Sequence, residues 1–453
     1  MLQLQEFCHA TNNIDNMITS VIFQNFKAFK EYSITLRDFN ILTGLNNNGK
    51  STILDAFRIL QGAYRYSVRY NPKLLRLSNN KNVWGYEIPQ TSIPISIVNI
   101  ANNFNDEEPS IITFRLKGER FLYLYFEENS KIYLYFETPN ATPKNSKKFK
   151  EEFSLEIAVV PTLGPLEVDE QLLDEEYVRR WSGSRRAPRM FRSYWYYNKN
   201  RFDEFKELVE NSWPEMTIEV PKKADTFHRD ITMFCYENRM PREVCWAGFG
   251  FQIWLQIITH LLAAKNANII IIDEPEIYLH PDLQHKILDL LKSFNSTIIL
   301  ATHSVEIINN AEPSEVVLID KHQKHAKRIT DLKGLQNISS ILGSNQNIQL
   351  TRLARGKKIL FVEGQDIKIL KRFSKISGFE SLFELGNFTV IEINGFSNYE
   401  RVTYTNWAFS KILGEEIKIA ALFDRDYKDD EEILEFKNKM QQDIHYVHIF
   451  NGS

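Results

Sequence analysis

The sequence predicts an α/β protein, with a phosphate-loop domain followed by a second, parallel α/β domain. Three observations carry that prediction. "FNILTGLNNNGKST" sets a Gly-rich loop directly after an apolar run and ahead of helical apolar spacing. "ANIIIIDEPE" is a continuous apolar strand that ends on two carboxylates, more than two hundred residues later. Near the end, "KKILFVEGQD", "NFTVIEINGFSN" and "IKIAALFDRD" read as three more apolar strands, two of which deliver acidic residues.

The bulk numbers bound the function. A chain of 453 residues suggests roughly two to four domains. The net charge of −3 confines any nucleic-acid surface to a local patch. Cys8, Cys235 and Cys245 are scattered, with no C-x-x-C pair and no zinc spacing, as in a reduced cytoplasmic protein. No apolar run approaches the ~20 residues of a membrane span, so no membrane is expected. The N-terminal "MLQLQEFCHATNNIDN" lacks the pattern of a signal peptide.

"SVIFQNFKAFKEYSITLRDFNILTG" alternates apolar and polar residues and predicts strands. "GLNNNGKST" then fits G-x-x-x-x-G-K-[ST] in full. Gly44 and Gly49 permit the curl, and Asn47 and Asn48 tolerate its unusual backbone angles. Backbone N–H groups, including those near Thr52, turn toward phosphate oxygens. Lys50 reaches the terminal phosphates, and the Ser51 hydroxyl is a Mg²⁺ ligand. "STILDAFRILQGAYRY" supplies a helix whose N-terminus faces the anion. Across the chain, Asp273 is the expected Mg²⁺ ligand and Glu274 the residue that polarises the attacking water. "STIILATHS" is the next buried strand and ends at His303, placed to sense the γ-phosphate.

Asp-Glu-Pro, then "LHP", then "ATHS" resembles the ABC-type ATPase heads of the SMC, RecF and OLD (overcoming-lysogenization-defect) group, over residues 18–65 and 240–320. The resemblance implies ATP and Mg²⁺ as cofactors. It also implies that Gly248, Gly250 and Gln252, in "WAGFGFQ", form a signature loop capping the nucleotide of a second subunit. The usual serine is missing there, and Phe249 stands between the glycines. Gln90 is the candidate for the glutamine loop. The ATPase region is expected at 1–330, with an inserted α/β arm at about 65–240.

The arm shows no sustained heptads. "ITFRLKGERFLYLYFEENSKIYLYFET" predicts a β-meander, and "LLDEEYVRRW" and "NRFDEFKELVENSWPEM" predict amphipathic helices. Between Arg179 and Arg201 lies a stretch with eight basic residues and no acidic one. Arg179, Arg180, Arg185, Arg186, Arg189 and Arg192 are the candidates for nucleic-acid phosphates, with aromatics to stack on bases. The same stretch also suits ion pairs with a second subunit, or a docking face for a protein partner.

After an expected linker at 331–355, the strand ends of residues 356–453 offer Glu363, Asp366, Asp424 and Asp426. Glu plus Asp-x-Asp on neighbouring parallel strands is an oxygen-ligand set for hard cations. This region resembles a Toprim domain, the metal-binding fold of topoisomerases, primases and OLD-type nucleases. By that resemblance Glu363 is general acid/base and also faces the metal, while Asp424 and Asp426 ligate Mg²⁺. The chain stops on "IHYVHIFNGS" with no closing helix, so the domain is expected to be cut short.

The expected whole is an OLD-like ATPase–Toprim fusion, similar also to the PARIS-type anti-phage fusions. It would form homo-oligomers through its heads and respond to a phage-encoded trigger or a separate effector. The alternative is a sensor or scaffold ATPase that holds or releases a partner and cuts nothing.

Overall fold

The computed structural model describes residues 17–97, 100–105, 107–127, 131–181, 183–184, 186–223, 230–342, 357–362, 367–377, 388–392, 417–424, 429–440 and 446–450. They divide into one unit that runs to Thr330, apart from Asn309–Glu312, and a second made of Asn309–Glu312 with Asp331 onward.

The first unit is built on two sheets. Its strands are β1 (Ile18–Phe26), β2 (Phe29–Thr35), β3 (Phe39–Thr43), β4 (Lys73–Arg76), β5 (Asn82–Ile88), β6 (Ser110–Leu116), β7 (Arg120–Phe126), β8 (Ile132–Glu137), β9 (Ile157–Val160), β10 (Ile269–Asp273), β11 (Thr297–Ala301), β12 (Val316–Leu318) and β13 (Lys327–Arg328). An antiparallel sheet runs β2-β1-β6-β7-β8-β5-β4. A mainly parallel sheet runs β13-β12-β3-β11-β10-β9, with β13 alone reversed. β10 and β11 are buried along their whole length, which is why they read as unbroken apolar runs.

Helix α1 (Lys50–Ser67) lies between the sheets. Ile53, Phe57 and Leu60 share one core with Phe114, Leu124 and Leu134 of the antiparallel sheet and Ile271 and Ile299 of the parallel one. Phe57 meets Phe114 edge-on, with ring centroids 5.4 Å apart.

The register decides where the site falls. Asp273 is level with Ala301, Ala301 with Leu42, and Thr43 with Leu318. The loops after β3, β10 and β11 therefore leave from one edge, the carboxyl ends of a parallel sheet, where ligands of α/β folds bind.

The expected meander is present as β6-β7-β8, and helices occupy Glu175–Trp181 and Phe202–Ser212. The inserted arm is corrected. Residues 73–137 extend the sheet begun by β1 and β2, and β9 edges the parallel core sheet beside β10. Their apolar faces belong to the same core as α1, so burial ties them into the domain and does not set them apart. Short antiparallel strands between Met216 and Glu243 lead to helix α2 (Phe249–Ala263). The expected linker opens with a helix, Leu332–Ile341, capped by Asp331 accepting from Gly334 N.

The second unit holds a four-stranded sheet, all parallel. It consists of β14 (Lys358–Val362), β15 (Thr389–Glu392), β16 (Lys418–Asp424) and β17 (Tyr446–Phe450), in the order β15-β14-β16-β17. Phe361, Ile419, Phe423 and Ile449 pack with Ile433 and Phe436 of the helix Asp430–Met440. Phe423 and Phe436 meet at 5.2 Å, nearly perpendicular.

Candidate nucleotide site

The loop after β3 is shaped by two left-handed glycines. Gly44 has φ 148° and Gly49 φ 102°. A Cβ on Gly44 would strike the Ile319 carbonyl oxygen, and one on Gly49 the Phe29 ring. Asn47 is also left-handed, at φ 62°, and Asn48 Nδ2 donates to the Ile319 carbonyl at 3.3 Å. Lys50 opens α1, and its ammonium donates to the Gly44 carbonyl at 2.7 Å and the Leu45 carbonyl at 3.2 Å. Burial pushes this ammonium down to about 8, against the pull of Glu274, Asp273 and Glu276.

Asp273 closes β10. Its Oδ2 accepts from Arg58 Nη2 at 2.8 Å and from Thr162 Oγ1 at 3.1 Å. Arg58 also grips Asp55 at 3.0 Å, and Lys27 reaches the other oxygen of Asp55 at 2.6 Å. Glu274 turns into the left-handed region at φ 48° while its N–H donates to the Ala301 carbonyl at 2.9 Å. His303 Nε2 lies 3.5 Å from Glu274 Oε1. Burial, with Lys50 adding, holds the His303 imidazole below its usual range although Glu274 pulls upward. That favours the neutral imidazole.

By donor type, a Mg²⁺ ion would suit Ser51 and the Asp273 carboxylate, of which Oδ2 already accepts from Arg58 and Thr162. Ser51 and Asp273 supply one hydroxyl and one carboxylate, and Mg²⁺ characteristically takes one or two carboxylates and completes its shell with water and phosphate oxygens. Among the described residues no cluster of three or more His, Cys, Asp or Glu could hold a metal by itself.

Gly248 precedes α2, and Gly250 lies within its first turn. Gln252 is corrected as a signature residue. It is fully buried, donates to the Cys245 and Ala247 carbonyls at 2.8 Å each, and accepts from Leu166 N at 2.9 Å. Its polar atoms are used within its own chain. Around the loop, Trp246, Phe249 and Tyr278 are exposed, Trp246 by 77 %, and the rings of Phe249 and Tyr278 stand 5.6 Å apart. Gln90 sits in a short 3-10 turn, Gln90–Ser92.

The basic stretch separates into two kinds of residue. Arg192 is corrected: it is 0 % exposed, forks onto Glu243 at 2.7 and 2.8 Å and reaches Glu170 at 3.3 Å, so it cannot meet a nucleic acid. Arg179 pairs with Glu175 at 2.9 Å and Arg189 with Glu167 at 3.7 Å, both at the surface. Arg186 covers the Trp181 ring at 4.5 Å and donates to Tyr177 Oη at 3.2 Å. Arg185 and the Arg180 side chain lie outside the described residues. So do Glu363, Asp366 and Asp426 and the side chain of Asp424, whose backbone ends β16.

Arg58, Asp55, Thr162 and Glu276 were not singled out from sequence. The usable signal for Glu276 is a third carboxylate, directly after Asp-Glu-Pro. Arg58 and Thr162 carry no local pattern.

A Gly-rich loop before a helix, a lysine within it, and Asp273, Glu274 and His303 on the same sheet edge define a P-loop ATPase domain. Residues 39–309, more than half of the chain, match the family described as "AAA domain, putative AbiEii toxin, Type IV TA system", and the chain belongs to that family. A search of curated proteins finds no match. Among solved structures the chain is similar to an Smc head domain with an extended coiled coil, bound to the C-terminal domain of ScpA, from Pyrococcus furiosus: 12 % identity, 72 % of this chain and 99 % of that one, TM-score 0.43. It is similar to the SMC head domain from Thermotoga maritima at 13 % identity, 69 % and 99 % coverage and TM-score 0.37. It is similar to the recombination mediator protein RecF-ATPrS of the RecFOR pathway at 12 % identity, 69 % of this chain and 98 % of that one, and TM-score 0.39. Among the described residues no helix is long and apolar enough to cross a membrane.

Proposed function

We propose that the chain binds Mg·ATP, hydrolyses it, assembles through paired heads around the nucleotide, and uses that cycle to control a Mg²⁺-dependent Toprim-like nuclease in its C-terminal unit, in defence against phage. The observation that carries the ATPase part is the meeting of Lys50, Asp273, Glu274 and His303 at one sheet edge. Lys50 leaves the loop carbonyls for the β- and γ-phosphates. Ser51 and Asp273 would hold Mg²⁺, which neutralises phosphate charge. Glu274 orients the attacking water and takes its proton, and neutral His303 donates toward the γ-phosphate. Gly248 and Gly250, ringed by exposed Trp246, Phe249 and Tyr278, are the surface that would close over a second copy's nucleotide.

For the nuclease, β14 ends at Val362, the residue before Glu363. It is paired in parallel with β16, which ends on Asp424. Glu363, Asp424 and Asp426 would hold Mg²⁺ for phosphodiester cleavage, with Glu363 as acid/base. The sensor–scaffold reading draws its support from Arg179 and Arg189, whose charges are already paired at the surface.

The test uses the purified chain. Lys50→Ala should lose ATP binding by calorimetry. Glu274→Gln should bind ATP, hydrolyse at least about a hundredfold more slowly, and accumulate an ATP-dependent assembly by sedimentation. Unchanged turnover in Glu274→Gln would remove Glu274 from the mechanism. Plasmid and total RNA, incubated with Mg²⁺ or Mn²⁺, separate the two readings: no cutting under any nucleotide condition favours the scaffold.

A further inference from the structure

We propose that Glu276 is the positioning residue that fixes His303 against Glu274, and so couples the acidic strand end to the histidine loop. The inference rests on the ATPase reading above. Glu276 lies in the turn after β10, whereas His303 follows β11. One carboxylate oxygen, Oε1, gathers three donors from the start of the histidine loop. It accepts from Thr302 Oγ1 at 2.6 Å, His303 N at 2.8 Å and Ser304 N at 3.1 Å. The loop is braced from its other side as well. Thr302 Oγ1 accepts from Ser304 N at 2.9 Å, and Ser304 Oγ donates to Gln284 Oε1 and accepts from Ile307 N at 3.1 Å.

These bonds hold the backbone of His303, not its ring. The ring is left to face Glu274 at 3.5 Å. Three donors converging on one acceptor oxygen form a stiff anchor; burial raises the Glu276 carboxyl, and the hydrogen bonds from Thr302 and His303 pull against it. The second oxygen, Oε2, is buried with no hydrogen-bond partner among the described residues. A fold that needed only a helix cap at Ser304 already has one in the Ser304 hydroxyl. An additional buried carboxylate, one oxygen unpaired, is costly for capping alone. The geometry assigns it to setting the direction of His303.

The test is a double-mutant cycle on ATP turnover, read with a spectrum of His303 itself. Glu276→Ala should lower kcat by about 10- to 100-fold, the scale of one to two hydrogen bonds. KM should stay within about threefold, because Lys50 and the loop are untouched. Glu276→Gln keeps an acceptor oxygen and should retain kcat within about fivefold. In a His303→Ala background, Glu276→Ala should cost nothing further beyond about twofold, because the two act as one unit. Losses that multiply in the double variant, or kcat and nucleotide affinity falling together, overturn the proposal. Thr302→Val removes one anchor without touching Glu276. It should lower kcat several-fold in the wild-type background and not in His303→Ala, so the proposal stays decidable if Glu276→Ala does not fold. In histidine-labelled full-length protein, the NMR signal missing from His303→Ala identifies His303. Glu276→Ala or Thr302→Val should shift or broaden that signal and leave the other histidines in place. An unmoved His303 signal overturns the proposal even if the wild type hydrolyses no ATP, an outcome that would sink only the ATPase reading.

Discussion

Arg192 shows what one residue's surroundings do to a sequence motif. Its neighbours in the chain are basic and aromatic, yet its own side chain is enclosed by Glu170 and Glu243. Burial would raise both carboxyls. For Glu243 burial is the largest single influence, but the arginine fork together with hydrogen bonds from Cys245 and Met233 N outweighs it and holds the carboxyl below the usual range, while for Glu170 burial wins and pushes it up. Removing the arginine leaves two buried acids without their cation. Arg192→Ala should therefore cost about 3–5 kcal/mol of unfolding free energy in urea at pH 7. The loss should shrink on acidification, as Glu170 takes up a proton. A loss below about 1 kcal/mol at pH 7 would mean the pair is hydrated. Charge reversal at exposed Arg186 and Arg189 should leave stability nearly unchanged. If phosphates are their partner, it should lower the salt slope of nucleic-acid binding by about one per contact.

At the scale of an element, α2 carries an acid-sensitive position. It is apolar on nearly every face, and His260 sits in its last turn beside Gln256 and Ala263, facing Met190, Phe191 and Tyr194 around a small cavity. A helix C-terminus favours a cation. Even so, and although His260 keeps a partly exposed edge, burial pushes its imidazole down to about 4. The unfolded chain binds this proton near pH 6.5 and the folded chain does not until about 4. Stability from this group is thus complete above pH 6.5 and falls as pH drops toward 4, by about 1.4 kcal/mol per unit. Replacing the imidazole, as in His260→Gln, should reduce the difference in unfolding free energy between pH 8 and pH 5 by about 2 kcal/mol. Equal acid sensitivity in both proteins would place the titration elsewhere.

For the whole molecule, the division into two units lets the two proposed chemistries be tested separately. If the proposed nuclease site exists, Glu363, Asp424 and Asp426 share it and would repel one another without a cation. Mg²⁺ added without nucleotide should raise the melting temperature of the second unit's transition and leave the first unit's unmoved. Asp424→Ala should remove that gain while ATP turnover persists, because the Mg²⁺ ligands proposed for the ATPase site are Ser51 and Asp273. A Mg²⁺ shift that survives Asp424→Ala together with Asp426→Ala would move the metal away from the strand ends.

The sequence alone determined the phosphate loop, the acidic strand end, the strand before His303 and the meander, because each is a local pattern. A left-handed loop needs glycine where it curls, a strand buried on both faces reads as an apolar run, and a half-buried strand alternates. It also placed the strands of the second unit, whose apolar runs are as plain. Only the tertiary structure decided which residues those patterns meet. β9 reads as four apolar residues, and pairing with β10 is what brings Thr162 to Asp273. Arg58 finds Asp273 from 215 positions away, and Glu276 finds the histidine loop from 27. Arg192 looked like a surface charge because nothing local records that Glu170 and Glu243 would fold over it. Burial and ion pairing depend on which segments pack together, and that information is spread along the whole chain.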